Sequence, residues 1–333
     1  MVPLLGQPFL GYQLALLREH GVTDVILACS YRVDDVRRAL GAGERLGVRL
    51  RYVVEAEPLG TGGGVRNAAD LARGTIFVLN GDVLTDADLT AMRALHESRG
   101  SRTTIFLVPV ADPRAYGLVE CDGDGRLSRF CEKPGADEPL TTNTINAGIY
   151  LIDAALLTRI PAGRVVSIER EFFPALIADG VPCFGWAGAA STYWRDIGSP
   201  AAYREAQADL LMGRIRSSLL PPGSLRDGSW LAPTVRLGPD ARVHAPSVLG
   251  ERVALGAGAH VGPLAVVGDD SQIGDDAHVE GAILWDRVRV GRGATLRDCV
   301  VPSDVTIGPY ADLGPGVVLE PHATIPSHAT LSG

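Results

Sequence analysis

Six short segments place polar side chains where a phosphate-bearing substrate could be handled. Phe130-Cys131-Glu132-Lys133-Pro134 contains the only lysine, since 30 of the 31 basic residues are arginine. A lysine alone in that background suggests a position needing a compact ammonium on a flexible stem, as against a phosphate. The alternative is chance survival at a surface site. Glu57-Pro58-Leu59-Gly60-Thr61-Gly62-Gly63-Gly64-Val65 is a glycine-rich turn between a strand pattern and a helix pattern. Such a turn brings backbone N–H groups close to an anion at a helix N-terminus, or is merely a connection. Asn80-Gly81-Asp82 comes after an apolar run, which puts Asp82 at a strand end; a turn or capping role is the alternative. The other three are Ile145-Asn146-Ala147-Gly148-Ile149-Tyr150, Val166-Ser167-Ile168-Glu169-Arg170-Glu171, and Tyr193-Trp194-Arg195-Asp196-Ile197-Gly198-Ser199-Pro200. Glu132 and Glu169 are either ligand-binding carboxylates or solvated surface groups. Arg195 reads as a structural partner of nearby acids, with a phosphate contact as the alternative.

The elements that must position these residues alternate between helix and strand up to residue 213. Leu10, Leu14 and Leu17 recur at helical spacing, 25–28 reads as a buried strand, 33–40 as a helix and 50–54 as a strand. Residues 62–72 predict a helix, 75–79 a buried strand, and 86–96 a helix capped by Asp86. Aliphatic strands alternating with helices imply a mostly parallel sheet covered on both faces. Ligands of such sheets sit at the carboxyl ends of the strands.

Beyond a linker expected over 214–231, the period changes to six. Leu237, Val243, Leu249, Leu255, Val261, Val267, Ile273 and Val279 are six apart, and glycine comes directly after six of them. The phase slips by one, resumes at Val290 and Leu296, slips again, and resumes at Ile307, Leu313, Leu319 and Ile325. This is the hexapeptide repeat of a parallel β-helix, with one aliphatic side chain pointing inwards per short strand and glycine allowing the tight corner. The expected domains are therefore 1–213, a linker, and 232–333.

A net charge of -8 argues against general nucleic-acid binding, and no apolar run approaches a membrane span. Neither a signal peptide nor a CxxC is readable, and the five cysteines read as reduced, mostly buried thiols of a cytoplasmic protein. Five of seven histidines lie among the repeats: His244, His260, His278, His322 and His328. Their mixed phases and the lack of a long excursion loop favour turn-exposed, unreactive histidines over an acyltransferase base.

In order and spacing, L-G-T-G-G, N-G-D, E-K-P, N-A-G and W-R-D-I-G resemble the sugar-1-phosphate nucleotidyltransferases over nearly the whole chain. The nearest likeness is to mannose-1-phosphate guanylyltransferases with a C-terminal hexapeptide domain. The resemblance implies a Rossmann-like domain followed by a left-handed parallel β-helix. It implies in-line attack of a sugar 1-phosphate on the α-phosphorus of an NTP, giving NDP-sugar and pyrophosphate, with GTP and mannose 1-phosphate expected. By the same resemblance Asp82 and Asp196 hold Mg2+. Lys133 meets the sugar phosphate, while Glu132, Asn146, Gly148 and Glu169 face the sugar. Leu59, Gly60, Thr61, Gly62 and Gly81 lie on the nucleotide side with Asp82. Homo-oligomers are expected through the flat outer faces of the repeats.

The family's opening strand, its G-x-G-T-R-L-x-P-L-T loop and a later K-P pair have no counterpart. Met1–Leu10 resembles the family segment just downstream of that K-P pair, so about 25 residues are expected to be missing through a late start. The chain as written is expected to be poorly soluble or inactive. Competing readings are the same reaction on glucose 1-phosphate with UTP or dTTP, a non-catalytic regulatory subunit, and an acyltransferase run by the repeats.

Overall fold

The computed structural model describes residues 2–135, 137 and 139–333; Met1, which opens the family-like N-terminal segment, lies outside them. Packing divides the chain into two compact units, one of residues 13–194 and one of 1–12 with 195–333.

The unit of residues 13–194 is α/β. Its elements are α1 (Phe9–Glu19, which begins in the other unit), β1 (Asp24–Cys29), α2 (Val33–Leu40), β2 (Arg49–Val54), α3 (Gly60–Asn67), β3 (Thr75–Leu79), α4 (Leu89–Ser98), β4 (Thr103–Pro109), β5 (Gly117–Cys121), β6 (Leu127–Glu132), β7 (Thr144–Asp153), α5 (Phe173–Ala178) and β8 (Cys183–Ala187). The main sheet has the order β8-β4-β7-β5-β6, with β3 also on β7. β8 runs parallel to β4, and β1 parallel to β2, whereas β7 is antiparallel to β3, β4 and β5. A core of Ile105, Leu107, Tyr150, Ile152, Phe172 and Phe173 lies against this sheet.

Three local expectations are corrected. The helix expected over 86–96 is Leu89–Ser98, capped by Asp88, whose side chain accepts from Ala91 N. Asp86 instead accepts the Tyr193 N–H at 2.8 Å, a contact across the chain that local spacing cannot announce. The helix expected over 62–72 is α-helical only from Gly60 to Asn67 and closes in a 3₁₀ turn, Ala69–Leu71. The third is burial: the side chains of 25–27 and 76–79 are only half covered. β1 pairs with β2 alone and β3 with β7 alone, so among the described residues each strand has one edge without a ladder.

In the other unit, α6 (Pro200–Leu211) anchors the N-terminal turn. Leu5 N donates to Gln207 Oε1 at 2.7 Å, and the buried Tyr203 hydroxyl donates to Pro3 O. Trp285 Nε1 donates to that same hydroxyl at 3.2 Å, and Arg204 pairs with Asp298 at 3.0 Å, which fastens α6 to the repeats.

The repeats coil as a solenoid of three parallel ladders. Leu249, Val267, Leu284 and Val301 line one face, Leu255, Ile273, Val290 and Ile307 the second, Val261, Val279, Leu296 and Leu313 the third, all buried. Towards the two ends the column is less covered: Leu237, on the first coil, is 51% exposed, and Val243, Leu319 and Ile325 are partly buried. The first ladder already includes Ser229–Leu231, inside the stretch expected to be a linker. The glycines after the aliphatic positions serve a different purpose from the one expected. At Gly256 a Cβ would fall 2.5 Å from the Asp275 backbone N, so glycine there lets coils stack. The corner itself comes two residues later, in left-handed residues such as Asp270, Asp276 and Asp304.

Val261→Asp or Ile273→Asp places a carboxylate where exposure is at most 2%. A destabilisation of several kcal/mol (~3 or more) is expected. Thermal unfolding followed by circular dichroism should show the solenoid transition lost or strongly lowered, whereas an unchanged transition would contradict the stacked core.

Candidate active site

The glycine-rich turn forms the N-terminus of α3. Leu59 N donates to Glu55 Oε2 at 3.0 Å, and Gly62 N donates to Val166 O at 2.9 Å. Gly62 is buried and its amide is spent internally, so of Leu59, Gly60, Thr61 and Gly62 the exposed pair is Gly60 and Thr61. The Thr61 hydroxyl accepts from Ile168 N at 3.0 Å and donates to Glu169 Oε2 at 2.7 Å. Ser167 Oγ donates to the same oxygen at 2.8 Å. Glu169 sits in a π-helical turn, Ile168–Phe172, an element that recurs at functional sites.

β7 supplies the opposite side. Its register against β4 shifts between Asn146 and Tyr150, and the bulge falls on the N-A-G segment. Bulges re-aim side chains next to active sites. Gly148 has φ +73°, and a Cβ there would fall 2.9 Å from Asn80 Nδ2. Asn80 N donates to Gly148 O at 2.8 Å, so N-G-D and N-A-G are packed together. Asn146 Nδ2 donates to the Tyr150 hydroxyl at 2.8 Å, and Asn146 Oδ1 accepts from Gly148 N at 3.0 Å. Tyr150 is fully buried, and its hydroxyl also interacts with Glu169.

Glu132 ends β6 half-buried. Burial first, and Glu169 second, push its carboxyl above the usual range, while Lys133 and Arg170 act the other way. Lys133 is exposed, with φ +50° and its N–H donating to Tyr116 O at 3.2 Å. A left-handed non-glycine residue is a strained position, and here it carries the chain's only ammonium. Tyr116 meets Trp194 edge to face with ring centroids 5.6 Å apart, and Trp194 Nε1 donates to Ala147 O at 2.9 Å.

Thr61, Glu132, Asn146, Gly148 and Glu169 are thus linked through bonds or charge, with Lys133 adjoining Glu132. Gly81 and Asp82 are exposed just past β3. Asp196 belongs to the other unit, where its Oδ1 accepts from Gly198 N at 2.6 Å. Arg195 takes the structural role: it pairs with Glu205 and, at 2.9 Å, with the buried Asp209. Sequence reasoning missed Asn80, Tyr150, Ser167, Tyr116 and Trp194. All but Tyr116 lie within a quoted segment, but none carries a charge or spacing that marks it.

A nucleotidyl transferase family profile matches residues 1–213, and a GlmU-like C-terminal hexapeptide profile matches 257–324. The chain belongs to the nucleotidyl transferase family. It is 44% identical over 214 residues to mannose-1-phosphate guanylyltransferase of Mycobacterium tuberculosis, a match covering 64% of this chain and 58% of that protein. The chain therefore spans less than two thirds of that relative. Against UTP–glucose-1-phosphate uridylyltransferase of Synechocystis it is 29% identical, covering 90% of this chain and 81% of the relative. Among solved structures, HddC of Yersinia pseudotuberculosis superposes with a TM-score of 0.54 at 28% identity, covering 63% of this nucleotidyl transferase and 88% of HddC. HddC has also been solved in complex with GMP-PN. The solenoid after a Rossmann-like nucleotidyl transferase domain is the architecture expected. No described helix is long and apolar enough to cross a membrane.

The elevated Glu132 carboxyl sets a pH signature. The folded state holds that proton more tightly than the unfolded chain, so folding stability is lost as pH rises through the elevated pKa. Glu132→Gln is expected to raise Tm at pH 7, with the gain shrinking as pH falls through the elevated pKa and gone below about 4.3, the ordinary glutamate value. A Tm difference that does not depend on pH would contradict the assignment.

Proposed function

We propose that this nucleotidyl transferase joins an NTP to a hexose 1-phosphate, with GTP and mannose 1-phosphate as its substrates and GDP-mannose and pyrophosphate as products. The observation that carries this reading is the Thr61–Glu169 hydrogen bond beside Glu132 and Lys133. It joins the exposed helix start, suited to a nucleotide, to a pair of carboxylates and a cation, suited to sugar hydroxyls and a phosphate.

In the reaction, a phosphate oxygen of the sugar 1-phosphate attacks the NTP α-phosphorus. The new P–O bond forms as the bond to the bridging oxygen breaks, and pyrophosphate departs. Lys133 holds and neutralises the sugar phosphate. Glu132 and Glu169 accept hydrogen bonds from sugar hydroxyls. Gly148, without a side chain, allows the ring to approach β7, and Asn146 orients that edge. Gly60 and Thr61 face the base. Asp82 and Asp196, one in each unit, are hard oxygen donors of the kind that would hold Mg2+. Bound Mg2+ would supply charge neutralisation on the phosphates.

A second reading, UTP with glucose 1-phosphate, is supported by the Synechocystis relative, which aligns over 90% of the chain. Homo-oligomerisation through the solenoid and a cytoplasmic location remain part of the proposal.

Pyrophosphate release by the full-length gene product, measured across NTP and hexose 1-phosphate pairs, tests the reading. The highest kcat/KM is expected for GTP with mannose 1-phosphate, and a preference for UTP with glucose 1-phosphate would replace it. Lys133→Ala is expected to reduce kcat/KM for the sugar phosphate roughly 10- to 150-fold, the equivalent of one charged contact. Asp82→Asn and Asp196→Asn should each abolish Mg2+-dependent turnover. Normal Mg2+ dependence in either variant would remove that residue from the site.

A further inference from the structure

The solenoid carries a row of histidines that the transferase reaction does not use. His260 and His278 are paired across adjacent rungs of the third ladder, and His244 precedes them by one coil. Their rings stack, with centroids 5.4 Å apart for His244 and His260 and 5.1 Å for His260 and His278. The nitrogens His244 Nε2 and His260 Nδ1 lie 3.1 Å apart. Without a metal, one of these nitrogens must donate a proton to the other. With a metal, both present lone pairs.

We propose that His244 and His260 form a two-imidazole chelate for a transition-metal dication of the Zn2+, Ni2+ or Cu2+ class. Nitrogen–metal bonds of about 2.05 Å across the 3.1 Å gap give an N–metal–N angle of about 98°. That lies between the right angle of tetragonal sites and the tetrahedral angle, so the nitrogen separation suits all three ions once the stacked rings turn their lone pairs from each other towards the metal. Imidazole is a poor ligand for Mg2+, which sets this site apart in residues and in metal class from the one proposed for catalysis. No third His, Cys, Asp or Glu completes the group among the described residues, so water fills the other positions and the affinity is modest. The ladder itself supplies the preorganisation. The solenoid backbone fixes the rung separation, so two exposed side chains meet without a loop having to order.

The test is isothermal titration of Zn2+, Ni2+ and Cu2+ into the unmutated chain with Mg2+ in excess. The thiols are first blocked with N-ethylmaleimide, because Cys121 is exposed. One metal per chain is expected, with Cu2+ tightest. His244→Ala and His260→Ala should each weaken binding about tenfold or more, because the second imidazole acts at a high effective concentration. His278→Ala and His328→Ala should keep the affinity. Both ligands are surface groups, and His244→Gln and His260→Gln replace the alanine variants if those melt early. Absence of saturable binding below about 1 mM overturns the proposal. So does an equal loss in His278→Ala, or half a metal per chain accompanied by a doubled mass, which would make the site a bridge between copies.

Discussion

One half-buried carboxylate oxygen holds the candidate site together. Glu169 Oε2 accepts from Thr61 and Ser167, and the Glu169 carboxylate also faces the buried Tyr150 hydroxyl and the Glu132 carboxyl. An ionised group partly removed from water is costly unless its lone pairs are satisfied. The two hydroxyls satisfy it and fix the start of α3 against the π-helical turn. The same charge raises the neighbouring Glu132, so two carboxylates remain close in a pocket that gains from a substrate able to donate hydrogen bonds to both. On this account the helix start and the sugar-facing strand are parts of one polar network.

The second constraint is the break in register of β7. A strand hydrogen-bonded on both sides cannot normally turn its backbone towards a ligand. The bulge between Asn146 and Tyr150 allows it, and the left-handed Gly148 lets Asn80 press against the strand. In the solenoid the equivalent constraint is steric. At positions such as Gly256, Gly268 and Gly274 a Cβ after the inward aliphatic would collide with the next coil, and the left-handed corner falls two residues later.

Much of this was legible in the sequence, because it repeats or is local. Aliphatic residues six apart announce the solenoid, and Thr75–Leu79 reads as the strand it is. The motifs place Thr61, Glu132, Asn146 and Glu169, which do converge. What stays hidden depends on partners distant along the chain. Asp86 has the composition of an N-cap, yet it is recruited by Tyr193, and Asp88 caps the helix. Tyr150 looks like one more core aromatic, since nothing in its neighbours shows that its hydroxyl meets Asn146 and Glu169. The antiparallel course of β7 is equally invisible, because an aliphatic run reads alike in either direction. Arg195 was legible in kind but not in partners, since Asp209 lies a full helix away.

The central claim, that Glu169 couples the nucleotide-facing helix start to the sugar-facing strand, is tested most directly by Thr61→Val. That change removes one hydroxyl from Glu169 and leaves the strand untouched. Dissociation constants for the nucleotide and for the sugar 1-phosphate are measured separately by titration calorimetry on the full-length gene product. The account predicts that both weaken together, each by about fivefold or more, the scale of a hydrogen bond to a charged group. Weaker nucleotide binding with unchanged sugar phosphate binding would contradict it.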